Sequence, residues 1–298
     1  SFRQWVAAMH AYPIDEERAY WLSILSKQNN IPAVHSVKRH KLLLPEIMTR
    51  RLLKDAPLGF NSEINDLLLS ALALALQDTF ARATNHIVLE GHGREALDPQ
   101  IDLSQTLGWF TSLYPVQLNC EENLSQTIVH TKEMLRKIPN KGLGFGALFS
   151  QEKLTNNQLP KISFNYLGQL GKQQKETDPN QWNLVNDASG SVCAKENLDD
   201  MALVVNGEIR EGKLKFTIAS ALSPEQTQRF INAFDAALIK VIDLAVQFSL
   251  REGIKTLSDI ESHVAVMPEQ KGPAWFLFPP GGGGAESYLN NLAPKLSS

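Results

Sequence analysis

Seven consecutive residues, Leu89-Glu90-Gly91-His92-Gly93-Arg94-Glu95, hold the densest set of charged and proton-transferring side chains in the sequence. If residues 86–92 form a strand, side chains alternate between its faces, so His86, Val88, Glu90 and His92 share one face and Ile87 and Leu89 point to a core. A carboxyl at a strand end that faces a cavity has a raised pKa and can exchange protons near neutral pH. The plainer alternative is a solvated strand end with a Glu–Arg pair. A second cluster, Phe164-Asn165-Tyr166-Leu167-Gly168-Gln169, places an amide beside a phenol. Either group could hydrogen-bond an oxygen on which negative charge develops. Its plainer alternative is a half-buried strand with a satisfied tyrosine.

Other chemistries find less support. Asn140-Lys141-Gly142-Leu143-Gly144-Phe145-Gly146 lacks the Gly-Lys-Ser/Thr ending of a phosphate loop and follows a helical pattern, which predicts a flexible turn. The glycines Gly281 to Gly284 have no phosphate-loop lysine after them. The seven histidines include no His-x-x-x-His, and no Cys-x-x-Cys occurs, so no metal site is expected. No Gly-x-Ser-x-Gly nucleophile motif is present. A net charge of −3 gives no basic field for nucleic acid or an anionic membrane. The longest apolar run, Leu67 to Leu76 with Ser70 inside it, is far shorter than the roughly 20 residues that span a bilayer. Cys120 and Cys193 read as reduced thiols of a cytoplasmic protein.

The elements that position these clusters follow from periodicity. Residues 2–27 have helical spacing broken near Pro13, and a loop over 29–40 leads into a strand. An amphipathic stretch from Leu44 breaks near Pro57. Asn61 and Ser62 are cap candidates for a long helix whose apolar face is Ile64, Leu67, Leu68, Ala71, Leu72, Ala75 and Leu76. Strands are predicted over His86–His92, Trp109–Leu118 (interrupted by Pro115) and Lys161–Leu167. A helix running from Leu124 stops at Pro139. Met201–Ile209 and Lys213–Ser220 flank Glu211-Gly212 as a hairpin. Ser223-Pro224-Glu225-Gln226 is a helix start with its N-cap, N1 proline and N3 glutamine in place. The alternation predicts an α/β (α+β) two-layer sandwich. With 298 residues, 43% of them hydrophobic, there is enough chain for a substantial core. A polar segment with Pro268, Gly272 and Pro273 marks a boundary.

In their order along the chain these motifs resemble the epimerization domains of nonribosomal peptide synthetases. The resemblance rests on Ser1-Phe2-Arg3-Gln4-Trp5, Tyr20-Trp21, Ile64-Asn65-Asp66-Leu67-Leu68 and Glu90 to Glu95. It continues through Gly108-Trp109-Phe110-Thr111-Ser112, Tyr114-Pro115-Val116, Ile138-Pro139-Asn140-Lys141-Gly142 and Phe164 to Gly168, covering residues 1–250. Ordinary condensation domains, the sister family, lack both the Glu90–Glu95 cluster and the Phe164–Gly168 cluster.

The resemblance implies a fold like chloramphenicol acetyltransferase, two lobes meeting at a channel. This chain would supply the C-terminal lobe, with most of the N-terminal lobe missing. The double histidine of the family belongs to that first lobe, and no His-His pair occurs here. The implied reaction inverts the α-carbon of an aminoacyl or peptidyl thioester held on a carrier protein. The catalytic group from this lobe would be Glu90, supported by Asn165 and Tyr166, with Glu95 as the fallback. Substrate binding would fall to His92, Arg94, Trp109 and Ser112. No cofactor would be bound by the domain itself, since the carrier supplies the phosphopantetheine arm. The partners would be a peptidyl carrier protein and the rest of the synthetase. Residues 251–273 would be a linker. Ala274 to Gly283 resembles the opening of an α/β-hydrolase thioesterase domain, of which 274–298 would be the truncated start. Condensation, or a non-catalytic lobe that docks a carrier, is the alternative function, and this chain alone is expected to be inactive.

Overall fold

The computed structural model describes residues 1–27, 31, 35–95, 97, 100–170 and 200–253. Eight α-helices and six strands are described: α1 (Phe2–His10), α2 (Asp15–Leu25), β1 (Lys38–Leu43), α3 (Glu46–Lys54), α4 (Ala56–Phe60), α5 (Ile64–Phe80), β2 (Thr84–Gly91), β3 (Ser112–Asn119), α6 (Leu124–Arg136), α7 (Leu143–Gln151), β4 (Ile162–Gln169), β5 (Leu203–Arg210), β6 (Lys213–Ser220) and α8 (Pro224–Gly253).

The strands form one mixed sheet in the order β1-β6-β5-β4-β2-β3. The β5–β6 hairpin turns at Glu211 (φ 52°) and Gly212 (φ 74°), the pair of left-handed residues that a two-residue turn between twisted strands requires. Along β6, Leu214, Phe216, Ile218 and Ser220 are buried and alternate with more exposed neighbours, the period of a sheet covered on one face. Gly207 pairs directly with Phe216. A Cβ on Gly207 would lie 2.6 Å from the Phe216 ring, so the missing side chain is the space that the ring fills.

Helices α5 and α8 cover that face. Phe216 meets Phe234 of α8 edge-on at 4.9 Å, and Phe230 stacks on Phe234 at 5.6 Å. Phe164 of β4 extends the aromatic chain to Phe216. Burying rings of this size supplies much of the driving force for the two layers to associate. The N-cap of α8 is as the sequence suggests, with Ser223 Oγ accepting from Gln226 N at 3.1 Å.

Some expectations shift. The cap of α5 is Glu63, whose amide donates to the Asp66 carboxylate at 2.8 Å, while Asn61 closes α4 in the left-handed conformation. The strand expected from Trp109 begins at Ser112, and Pro115 is tolerated because β3 is an edge strand. The expected flexible turn at 140–146 is a short turn, Pro139–Gly142, with left-handed backbone at Asn140 and Lys141, that runs straight into α7. Helix α8 reaches Gly253, so the linker expected from 251 starts helical. The rest of that linker, residues 274–298 and Cys193 lie outside the described residues. Among the described residues no helix is long and apolar enough to cross a membrane.

Candidate functional site

Strand β2 carries Glu90 as its last residue but one, and β4 runs parallel beside it with Leu89 opposite Phe164. Each following residue, Glu90 and Asn165, therefore projects from the same face at the same level. Asn165 Nδ2 donates to Glu90 Oε2 at 2.8 Å. Both side chains line a cleft of about 740 Å³ at the C-terminal ends of these strands. Glu90 keeps contact with solvent, yet desolvation by the cleft walls raises its carboxyl pKa above the usual glutamate value.

Consecutive residues of a strand normally face opposite sides, but Asn165, Tyr166 and Leu167 all line the cleft. The register accounts for this only beyond Tyr166, since Asn165 and Tyr166 pair regularly with Asn206 and Gly207. Tyr166 pairs with Gly207, whereas Gln169 pairs with Ile209, so β4 bulges between them at Gly168 (φ 75°). A bulge bends the strand and re-aims its side chains. Burial raises the Tyr166 pKa, which keeps the phenol protonated and able to donate.

The opposite wall comes from helix ends. Asp66, buried in the first turn of α5, has a carboxyl pKa raised by desolvation, opposed by its bond from the Glu63 amide and by the Arg136 charge. Its Oδ2 stands 3.7 Å from Arg136 Nη1 at the end of α6. Beyond Arg136 the chain turns and Lys141 Nζ reaches Glu95 Oε2 at 3.2 Å. Glu95 Oε1 meets His92 Nε2 at 3.0 Å. Such partly exposed pairs contribute only about 0–1 kcal/mol each, so their importance here is geometric. Tyr114 forms part of the same wall, its pKa pushed up to about 12 by burial and by the Glu95 charge.

Glu90, Asn165, Tyr166, His92 and Glu95 are therefore brought together, all on the cleft. Three residues that the sequence suggests for substrate binding do not line it. Arg94 turns away, donating to Leu103 O at 2.8 Å with its guanidinium 4.2 Å over the Phe110 ring. It pins the connection between β2 and β3. Trp109 lies on that connection, 82% exposed. Ser112 starts β3 with its Oγ buried beside Gly91, and its neighbour Thr111 is the one that reaches the cleft. Asp66, Arg136, Lys141 and Tyr114 line the cleft without having stood out as functional side chains in the sequence. Asp66, Lys141 and Tyr114 lie within motifs that carry the family resemblance, and that is the signal that points to them. Among the described residues no group of three or more His, Cys, Asp or Glu side chains could hold a metal ion.

The condensation-domain family model matches residues 1–262. The chain belongs to the condensation-domain family. N-(5-amino-5-carboxypentanoyl)-L-cysteinyl-D-valine synthase of Penicillium chrysogenum is 32% identical over 315 residues, covering 99% of this chain and 8% of that protein. Bacitracin synthase 3 of Bacillus licheniformis is 33% identical over 223 residues, covering 70% of this chain and 4% of that protein. The crystal structure of the epimerization domain from the third module of tyrocidine synthetase B superposes with a TM-score of 0.72 at 28% identity, covering 83% of this chain and 60% of that one. The first condensation domain of the CDA synthetase, at 14% identity and a TM-score of 0.55 over 84% of this chain and 55% of that one, shares the fold alone. The chain thus spans 8% or less of the length of the two synthases it matches in sequence.

Proposed function

We propose that this chain, with the cleft around Glu90, supplies part of an epimerization site in a nonribosomal peptide synthetase. The observation that carries the reading is the Glu90 carboxylate, held by Asn165 at 2.8 Å on a cleft that raises its pKa. The substrate is an aminoacyl or peptidyl group joined as a thioester to the phosphopantetheine arm of a carrier protein. The thioester acidifies the α-hydrogen. Glu90 then takes or returns the proton on one face, with a pKa moved toward the working pH. Asn165 orients the carboxylate. The neutral Tyr166 phenol is available to donate to the enolate oxygen as charge develops there.

Inversion needs a second proton-transfer group on the opposite face. It is assigned to an N-terminal lobe outside this chain, and this chain to the C-terminal lobe; that 60% of the tyrocidine relative is covered supports the assignment. Two similarities support the reading: the solved epimerization domain, and a relative named for a product that ends in D-valine. Residues 251–273 are assigned as a linker and 274–298 as the start of a thioesterase domain. The alignment with that relative covers 99% of the chain, beyond the end of the family match at 262.

The family model itself favours a second reading, amide-bond formation between two carrier-bound groups. One experiment separates them. The full-length protein is given a single carrier partner loaded with an L-aminoacyl thioester, and the chirality of the released amino acid is measured. Accumulation of the D-form with one carrier supports epimerization. Product that forms only when a second loaded carrier provides an amine overturns it.

A further inference from the structure

A carboxylate is buried some distance from the cleft, where α1 and α2 meet the turn before α7. Glu17 is 6% exposed, and among the described residues no cation pairs with it. Its charge is met by three donors instead. Trp21 Nε1 donates to Oε2 at 2.9 Å, and Asn140 Nδ2 donates to Oε1 at 2.8 Å. The Tyr12 hydroxyl also donates to Oε1, and it accepts from Asn140 Nδ2 at 2.6 Å. Burial and the Glu17 charge raise the Tyr12 pKa, which keeps it a donor. Burying an ion costs several kcal/mol, and an apolar replacement is often at least as stable. Stability alone is therefore a poor reason for this cluster.

Its geometry gives a better one. Asn140 (φ 41°), Lys141 (φ 51°) and Gly142 (φ 86°) are three successive left-handed residues. Such backbone costs of order 1–3 kcal/mol at a non-glycine position and persists only where its surroundings over-determine it. On one side of the turn stands the Glu17 cluster. There a Cβ on Gly144 would fall 2.2 Å from Glu17 Oε2, so α7 can start only where glycine leaves the carboxylate room. On the other side the turn presses on the strand end that carries Glu90. A Cβ on Gly142 would lie 2.0 Å from the Tyr114 ring, and the Lys141 carbonyl is 3.5 Å from the Cβ position of Gly91. The turn also sends Lys141 to Glu95.

We infer that Glu17 is a positioning residue for the cleft: through Asn140 it clamps the Pro139–Gly142 turn against the Glu90–Gly91 strand end and sets Lys141 beside Glu95. The effect on turnover rests on the epimerization reading above; the mechanical effect on the turn does not.

The test uses Glu17→Gln, Tyr12→Phe and Asn140→Gly in the full-length protein. Glutamine replaces one acceptor oxygen with a donor that faces donors. The Tyr12 variant keeps the carboxylate and guards against a Glu17 variant that does not fold. Glycine removes the Asn140 amide while permitting the left-handed backbone. Two readouts are taken, amide hydrogen exchange over residues 140–143 and the rate of α-proton exchange on a loaded carrier. The expected result is about tenfold faster amide exchange confined to the turn, with kcat about tenfold lower and KM within about twofold. Unchanged amide exchange in the turn overturns the inference, as does faster amide exchange with full turnover. If the wild-type protein shows no α-proton exchange at all, the epimerization reading fails. Faster amide exchange in the variants then still upholds the clamp, and its absence still refutes it.

Discussion

Asn165 Nδ2 donates to Glu90 Oε2 at 2.8 Å, joining two residues 75 positions apart in the chain. Only the parallel pairing of β2 with β4 brings them level. Desolvation pushes the Glu90 carboxyl toward neutrality, and the Asn165 bond fixes its direction. The pair is an oriented carboxylate rather than an ion pair, because no cation is bound to Glu90 among the described residues.

Removing that orientation should cost activity and little else. Asn165→Ala is expected to lower α-proton exchange by about 10–10²-fold, below or at the low end of the roughly 10²–10⁴-fold lost with a proton-transfer group itself, with an unchanged melting temperature. Asn165→Asp gives a different signature. Two carboxylates at that distance cannot both ionise, so one pKa rises strongly. A base works ionised, so activity rises with pH through its pKa. The acid limb of the pH–rate profile should therefore start above the ordinary glutamate value in the wild type and move higher still in Asn165→Asp. A limb that stays in place would separate Glu90 from the rate.

His86 sets an acid limit on stability. It is 3% exposed on β2, and burial lowers its pKa, with Gln117 opposing and the Lys27 charge adding. The folded state therefore keeps it neutral while the unfolded chain binds a proton below about 6.5, the ordinary histidine value. The unfolded state then carries more protons, and stability falls as pH drops below that point. Asp66, whose pKa is raised by burial, works in the opposite direction at lower pH. Thermal melts between pH 7.5 and 5.5 should show a falling midpoint that is flatter in His86→Leu. Equal slopes in the two proteins would contradict this.

Much of this arrangement was legible in the residues. Alternation along β2 put Glu90 on one face and Leu89 on the other, and the Glu211-Gly212 hairpin could be read directly. Period two could not reveal the bulge between Tyr166 and Gln169, beyond which the alternation along β4 is broken. Nor could it place Arg94. A basic residue in a polar motif suggests ligand binding, yet here it stacks on Phe110, a contact across a long connection that local spacing does not encode. The cap of α5 is ambiguous in sequence because Asn61 is a favoured cap type, whereas a left-handed helix end is an equally good use of asparagine. The second wall, Asp66 with Arg136, depends on how α5 meets α6, which is a tertiary fact.

Two glycines in helices should respond oppositely to alanine. Gly146 is exposed in α7 and a Cβ there would meet nothing within 4 Å, so Gly146→Ala should stabilise by about 0.5–1 kcal/mol. Gly59 is buried where α4 meets α8, and its Cβ would fall 2.0 Å from Ala245 O. Gly59→Ala should destabilise by about 1–3 kcal/mol, the usual cost of overpacking. Urea denaturation of both variants checks the pair, and a destabilised Gly146→Ala would contradict the open surface at α7.

Glu90 as the group that moves the α-proton can be tested on the substrate itself. The most direct measurement is deuterium incorporation at the α-carbon of a carrier-bound aminoacyl thioester in heavy water, comparing the full-length protein with Glu90→Gln. Glutamine keeps the shape and can still accept from Asn165, but it cannot take a proton. Loss of incorporation by about 10²–10⁴-fold is expected, with the melting temperature equal or higher because a partly desolvated charge has been removed. Incorporation at the wild-type rate in Glu90→Gln would show that another group moves the α-proton.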